Sequence, residues 1–238
     1  TGDVESVDAN KVSLTAGTSA YADKNVGNTK EVTFGGLVLG GDEAGNYNLT
    51  TTELTGNVGQ IEKKTIAAEI KPGSTITKEY DGTDVITTAL AKDTNYVLPN
   101  MISGDDLSLD TAKISGTYTA GKDVGNDLSV IFTGLKLTGK DASNYDLLDF
   151  AMGENYGKIT PKALTATLTG DNVFTKVYDG TTTVSQALTQ GTNYTLDGIV
   201  SDSDKVSLVG SGAYNDKNAG DNKTITFNGL TLTGTGAG

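Results

Sequence analysis

The segment Tyr21–Tyr47, YADKNVGNTKEVTFGGLVLGGDEAGNY, returns as YTAGKDVGNDLSVIFTGLKLTGKDASNY over Tyr118–Tyr145. It returns again as YNDKNAGDNKTITFNGLTLTGTGAG from Tyr214 to the last residue. Nothing else in the chain constrains its fold as strongly, because a sequence that copies itself must be built from copies of one structural unit. The copying extends upstream. KVSL (Lys11–Leu14) matches DLSL (Asp106–Leu109) and a second KVSL (Lys205–Leu208), and ALAKDTNYVL (Ala89–Leu98) matches ALTQGTNYTL (Ala187–Leu196). TKEYDGT (Thr77–Thr83) matches TKVYDGT (Thr175–Thr181), which places Tyr80 and Tyr178 98 positions apart. GQIEKKTIAAEI parallels GKITPKALTATL and marks the boundaries: a partial repeat over 1–64, a complete one over 65–161 and a partial one over 162–238. The break in mid-motif at Gly238, and the lack of a basic-then-apolar leader at Thr1, are what a segment of a longer protein would show.

Inside each repeat the apolar residues alternate. In EVTFGGLVL, Val32 and Phe34 share one face, and Leu37 and Leu39 resume it beyond Gly35-Gly36. Val130, Phe132, Leu135 and Leu137 keep the same beat, as do Ile225, Phe227, Leu230 and Leu232. A period of two with one apolar face is the pattern of a half-buried antiparallel strand, and a glycine pair in mid-run reads as a bulge or tight bend. Further strands are expected at Ile66–Ile70, Ile76–Tyr80, Leu107–Leu109, Ile114–Tyr118 and Tyr156–Thr160. No window sustains a 3.6-residue apolar period. About seven short strands in a module of this size predict an all-β chain of tandem immunoglobulin-like β-sandwich modules. A β-grasp-like module is the alternative, and it requires a helix that the pattern does not supply. Tyrosines recur at matching places (Tyr21, Tyr118, Tyr214; Tyr47, Tyr145; Tyr80, Tyr178; Tyr96, Tyr194), where a buried ring with its hydroxyl on a backbone group would anchor each module.

Composition excludes several chemistries. The chain has no Cys, His or Trp. That removes disulfides, thiolate nucleophiles, Cys/His zinc sites and Ser-His-Asp triads. A net charge of −12 repels phosphate backbones and anionic lipid, so neither nucleic acid nor a membrane surface is an expected partner. No run approaches the roughly 20 apolar residues of a membrane-spanning helix.

The candidate sites are few. Tyr80-Asp81-Gly82 and Tyr178-Asp179-Gly180 read as a structural repeat motif: Asp-Gly makes a turn with positive φ at Gly, and the preceding Tyr ends a strand and packs on the core. Acid pairs in loops, Asp105 with Asp106 and Asp202 with Asp204, are candidate calcium ligands, although neither has the spacing of an EF-hand loop. Otherwise no cofactor is expected. A glycosidase-type carboxylate pair would stand outside the repeat pattern, and none does, so the chain is not expected to be an enzyme. Lys78 and Lys176, two residues before the repeated Tyr, are candidates for an isopeptide bond to Asn.

Taken in order, K-x-Y-D-G-T, a D-D-L-S-L-like strand, Y-x-D-K-N-V-G, V-T-F-x-G-L-x-L-x-G-x-D-A-G-N-Y and G-x-I-x-K/P-K resemble the YDG-type and related MBG-type repeats. Those repeats stack in tandem in very large bacterial surface adhesins and haemagglutinin-like exoproteins. The resemblance spans essentially the whole chain. It departs at YTAGKDVG in place of YADKNVG, and at DLLDFAMGENYG in place of the shorter NLTTTELTGNVG. It implies an extracellular or cell-surface location, neighbouring repeats as the main partners, and a stalk or spacer that projects a distal binding region. In the alternative, the repeats themselves bind a host glycan or glycoprotein.

Overall fold

The structure is a computed structural model that describes residues 4–148, 151–170 and 174–236. It is all-β, made of many small sheets, and the helical segments among the described residues are three short 3-10 turns: Ala44–Asn46, Thr111–Lys113 and Ala142–Asn144. Two compact units divide the chain. The first holds Thr1–Glu69, Ala91–Ile114 and Thr133–Ala151; the second holds Ile70–Leu90, Ser115–Phe132 and Met152–Gly238. The units do not follow the sequence repeats, because the complete repeat contributes to both.

In the first unit, Gly27–Gly35 is the middle strand of an antiparallel sheet, flanked by Thr18–Tyr21 and Glu53–Ile61. Two-stranded pairs join Ser13–Thr15 to Val38–Gly40 and Ser108–Leu109 to Leu137–Thr138, both antiparallel. Lys64–Ile66 pairs in parallel with Tyr145–Leu147. The glycine pair expected as a bulge or bend ends a strand. Gly36 has φ +63°, and the chain leaves the three-stranded sheet at Gly35 to enter the pair formed by Val38–Gly40. An L side chain resists that φ, so glycine permits the turn from one sheet to the next.

The second unit carries a four-stranded sheet in the order Ser115–Tyr118, Gly125–Thr133, Ala151–Thr160, Ile76–Glu79; the end residues Thr133 and Ala151 fall to the first unit. Its last two strands are parallel, with Gly157 opposite Ile76 and Thr160 opposite Glu79. An antiparallel pair, Thr165–Leu168 with Tyr194–Asp197, and a sheet in the order Thr183–Val184, Ser207–Tyr214, Ile225–Thr233 complete it. Thus Gly27–Gly35 and Gly125–Thr133 have a strand on each side, whereas their counterpart Ile225–Thr233 lies at a sheet edge.

The buried residues of the complete repeat sort by unit. Ile66, Ala68, Tyr96, Leu98, Leu107, Leu109, Leu135 and Tyr145 belong to the first unit, and Ile76, Tyr118, Val130, Phe132 and Ile159 to the second. In the third repeat Tyr194, Leu196, Val206 and Leu208 form one cluster with Leu164, Leu188 and Ile199 against it. Burial follows the alternation most closely in the complete repeat. In the first, Val32 and Leu37 are buried but Phe34 is 38% exposed; in the third, Leu230 and Leu232 are 47% and 43% exposed on the edge strand. The strand expected over Ile66–Ile70 is broken, with Lys64–Ile66 and Glu69–Ile70 separated by two alanines. Of the expected anchors, Tyr96 and Tyr194 are buried and their hydroxyls accept the N–H groups of Leu109 (3.0 Å) and Leu208 (2.8 Å). Tyr118 and Tyr214 donate to the carbonyls of Ile76 (2.9 Å) and Phe174 (2.8 Å).

Candidate functional site

The TKxYDGT stretch folds around its lysine. Lys78 Nζ donates to Asp81 Oδ1 (2.7 Å), the Thr83 carbonyl (2.7 Å), Thr83 Oγ1 (3.1 Å) and the Val85 carbonyl (3.0 Å). Lys176 makes the same four bonds to Asp179 Oδ1 (2.8 Å), Thr181 O (2.8 Å), Thr181 Oγ1 (3.0 Å) and Thr183 O (3.1 Å). The aspartate bends back as well, its Oδ1 accepting the Thr83 N–H (2.9 Å) and hydroxyl (2.8 Å), with Asp179 doing the same for Thr181. Gly82 and Gly180 have φ +79° and +78°, so the expected Asp-Gly turn is present. An aromatic ring faces each ammonium: Lys78 Nζ is 5.8 Å from the centre of Tyr118 and Lys176 Nζ 5.7 Å from that of Tyr214. The Lys78 side chain is only 3% exposed, a burial that a lysine tolerates when every donor is used. Hydrogen bonding by the lysine, reinforced by the threonine, holds the Asp81 and Asp179 carboxyls down at about 2. The expected asparagine is not among the hydrogen-bond partners of these lysines, which are an aspartate, a threonine and main-chain carbonyls.

The tyrosine of the motif corrects an expectation. The sequence pattern puts Tyr80 on the core of its own module, yet its hydroxyl donates to Asp204 Oδ1 (2.8 Å) in the next repeat. Lys122 Nζ in turn donates to that hydroxyl (2.7 Å) and lies 3.4 Å from the same carboxylate oxygen. Tyr178 is 60% exposed and its hydroxyl has no partner among the described residues. The turn therefore frees a tyrosine whose use depends on what stands beside it.

Lys122 and Asp204 have counterparts in the first unit. Lys24 occupies the position of Lys122 in Y-x-D-K-N-V-G, and Asp105 that of Asp204 ahead of the L-S-L strand. Lys24 Nζ pairs with Asp105 Oδ1 (2.7 Å) and Asp141 Oδ1 (2.8 Å), all within that unit. Asn144 adds to the joint: its Oδ1 accepts the Val26 N–H (2.9 Å) and its Nδ2 donates to Asn25 Oδ1 (3.1 Å). Tyr145 donates to Asp105 Oδ2 (2.6 Å) and accepts the Ile102 N–H (3.0 Å). Each repeat thus meets the next through a lysine on a carboxylate. The pairing raises the Lys24 ammonium and lowers the Asp105 and Asp141 carboxyls, with the Lys24 hydrogen bond as the leading cause for both acids. Lys122 is raised as well, first by its hydrogen bond to Tyr80.

The same pairing separates the calcium candidates. Asp105 and Asp204 hold lysines, while Asp106 and Asp202 are exposed; Asp106 receives the Lys140 N–H at 3.5 Å, and its own N–H goes to Asp141 Oδ2 (2.9 Å). Among the described residues no group of three or more acidic side chains is placed to hold a metal ion.

The YDG domain matches residues 1–54, 62–152 and 160–238, spans that hold the repeated clamp and the recurring junction. This chain belongs to the YDG domain family. No curated protein and no solved structure matches it. The YDG triplet accordingly has two jobs. Its Asp and Gly close the lysine-clamped turn, and its Tyr stands ready for the following repeat. The junction residues are visible in the sequence as recurrent lysines (Lys24, Lys122, Lys217) and recurrent aspartates (Asp105, Asp204), but their partnership crosses from one repeat to the next and no local pattern reveals it.

Proposed function

We propose that this chain is a structural repeat segment, a stalk or spacer, of a bacterial cell-surface adhesin, acting outside the cell to project a distal binding region. The observation that carries the reading is the recurrence of the junction: Lys24 on Asp105 and Lys122 on Asp204 join successive repeats by equivalent residues. A contact that recurs with the repeat serves the array rather than one site. The adhesin context rests on the resemblance of the repeats. For each repeat we favour an immunoglobulin-like sandwich, supported by short antiparallel sheets with alternating burial; a β-grasp module needs a helix longer than the 3-10 turns described. The reading is non-catalytic, since the perturbed carboxyls Asp23, Asp81, Asp105, Asp141, Asp179 and Asp216 are all paired with lysines.

The second reading, recognition of a host glycan or glycoprotein by the repeats, gains one supporting observation: Tyr178 offers an exposed ring. Tyr96 and Tyr194, at 4% and 2% exposure, are closed to a ligand. Presenting the chain to a panel of glycans and host glycoproteins separates the two. A stalk shows no saturable binding; saturable binding that Tyr178→Ala abolishes without unfolding the chain would replace this proposal with the second reading.

A further inference from the structure

Two parallel strand pairs tie the complete repeat from its entry to its exit. Lys64–Ile66, where the chain enters the repeat, lies beside Tyr145–Leu147. Ile76–Glu79 lies beside residues 157–160, where the chain leaves it. The first pair belongs to the first unit and the second pair to the second. We infer that these pairs are load-bearing locks, which keep the repeat folded when tension pulls its entering and leaving chain apart. The source of that tension rests on the stalk reading; the mechanics rest on the strands alone.

The direction of pairing carries the inference. In an antiparallel pair joined by a hairpin, the entering and leaving ends lie at the same end of the pair, so tension opens the bonds one after another. In a parallel pair they lie at opposite ends. Tension then slides the strands past each other and strains all the bonds between them together. The rise from Ile76 to Glu79 is about 10 Å, against about 4.8 Å between neighbouring strands, so the line joining the pulled ends runs mostly along the strands.

The second pair is further secured at three points. Its bonding continues at the exit end, where the Tyr80 N–H donates to the Thr160 carbonyl (2.9 Å) and the Thr160 hydroxyl to the Lys78 carbonyl (3.3 Å). Ile76, Ile159 and Tyr118 are fully buried, which keeps out the water that would otherwise replace a broken bond. The Tyr118 hydroxyl donates to the Ile76 carbonyl (2.9 Å) and lies 3.5 Å from that of Lys158, so it spans the two strands. Lys78 supplies the third restraint. Its ammonium holds the Thr83 and Val85 carbonyls, and that segment is bonded to Ser115–Tyr118 through Ile86 N–H on Gly116 O (2.8 Å) and Tyr118 N–H on Asp84 O (2.9 Å). Ile76–Glu79 can slide toward its N-terminus only if the ammonium leaves those carbonyls. The lysine of TKxYDGT thereby serves the lock as well as the turn.

The first pair follows the same plan. The Leu148 N–H donates to the Ile66 carbonyl (3.0 Å), and Ile66 and Tyr145 are buried. An ion pair crosses each lock, Lys63 to Asp146 (2.9 Å) in the first and Lys162 to Glu79 (3.1 Å) in the second.

The test pulls single molecules of the whole 238-residue chain, which has no cysteine, so two introduced thiols are the only handles. Pro72→Cys with Ala163→Cys sets the handles just before Ile76–Glu79 and just after residues 157–160, and loads the second pair along its strands. Pro72→Cys with Glu154→Cys sets both handles beyond the N-terminal ends of the paired segments, and peels them apart. All three positions are exposed. Forced unfolding reports the barrier met along the pulling direction, so the two geometries interrogate one fold in two ways. The first should require several times the rupture force of the second. Equal rupture forces, or a lower force in the first geometry, would overturn the lock and leave the stalk reading standing, since that reading falls instead to saturable ligand binding.

Discussion

A lysine seldom lies in a protein interior, and Lys78 does so because every donor on its ammonium finds an acceptor between Asp81 and Val85 on the same stretch of chain. Lys78→Met should therefore leave the Thr83 and Val85 carbonyls short of a partner and lower stability by about 2–3 kcal/mol in urea unfolding. The same change at Lys176, whose side chain is 14% exposed, should cost less because water can replace it. Acid should act through the clamp. The carboxyls of Asp81 and Asp179 titrate at about 2 when folded against an ordinary 3.8. Their contribution is complete above about pH 4 and is lost as pH falls toward 2, because the unfolded chain then binds protons that the folded one refuses. Urea midpoints should hold steady from about pH 7 to 4 and drop below it, with a smaller drop in an Asp81→Asn, Asp179→Asn variant.

At the scale of elements, the clamp is more local than the sheet around it. Ile76–Glu79 is a strand paired with residues 157–160, whereas residues 174–179 are not in a strand, yet both lysines make the same four bonds. The clamp is thus fixed by donors and acceptors close together in the chain, which is why TKxYDGT is legible as a turn from its residues alone. Gly82→Ala tests it: a side chain at φ +79° should cost about 1 kcal/mol or more, seen as a lower melting temperature. The alternation of Val130 and Phe132 is legible for a similar reason, since both faces of that strand are defined within the repeat. Phe34, Leu230 and Leu232 depart from the expected burial because alternation shows which side chains share a face but not whether another element covers it. The main-chain acceptors of Lys78 are invisible in sequence too, since a carbonyl leaves no trace in residue identity.

At the scale of the whole molecule, the units of packing are not the units of sequence. The repeat boundary near Lys162 is real in the sequence, yet Tyr80 and Lys122 share a compact unit with Asp204 across it. No composition or period signals that offset; only the joint recurrence of Lys24 with Asp105 and Lys122 with Asp204 does. Because these acids are already paired with lysines, calcium or a chelator should leave the melting temperature of the chain unchanged. The central claim, that the tyrosine of the YDG triplet couples one repeat to the next, is tested most directly by comparing Tyr80→Phe with Tyr178→Phe in equilibrium unfolding, each with and without Asp204→Ala. The two tyrosines share the same clamped turn, but among the described residues only the Tyr80 hydroxyl has a partner. The expected result is a loss of about 1 kcal/mol for Tyr80→Phe that largely disappears once Asp204 is alanine, and no measurable change for Tyr178→Phe. Equal losses at both tyrosines, or a Tyr80→Phe effect that is additive with Asp204→Ala, would contradict it.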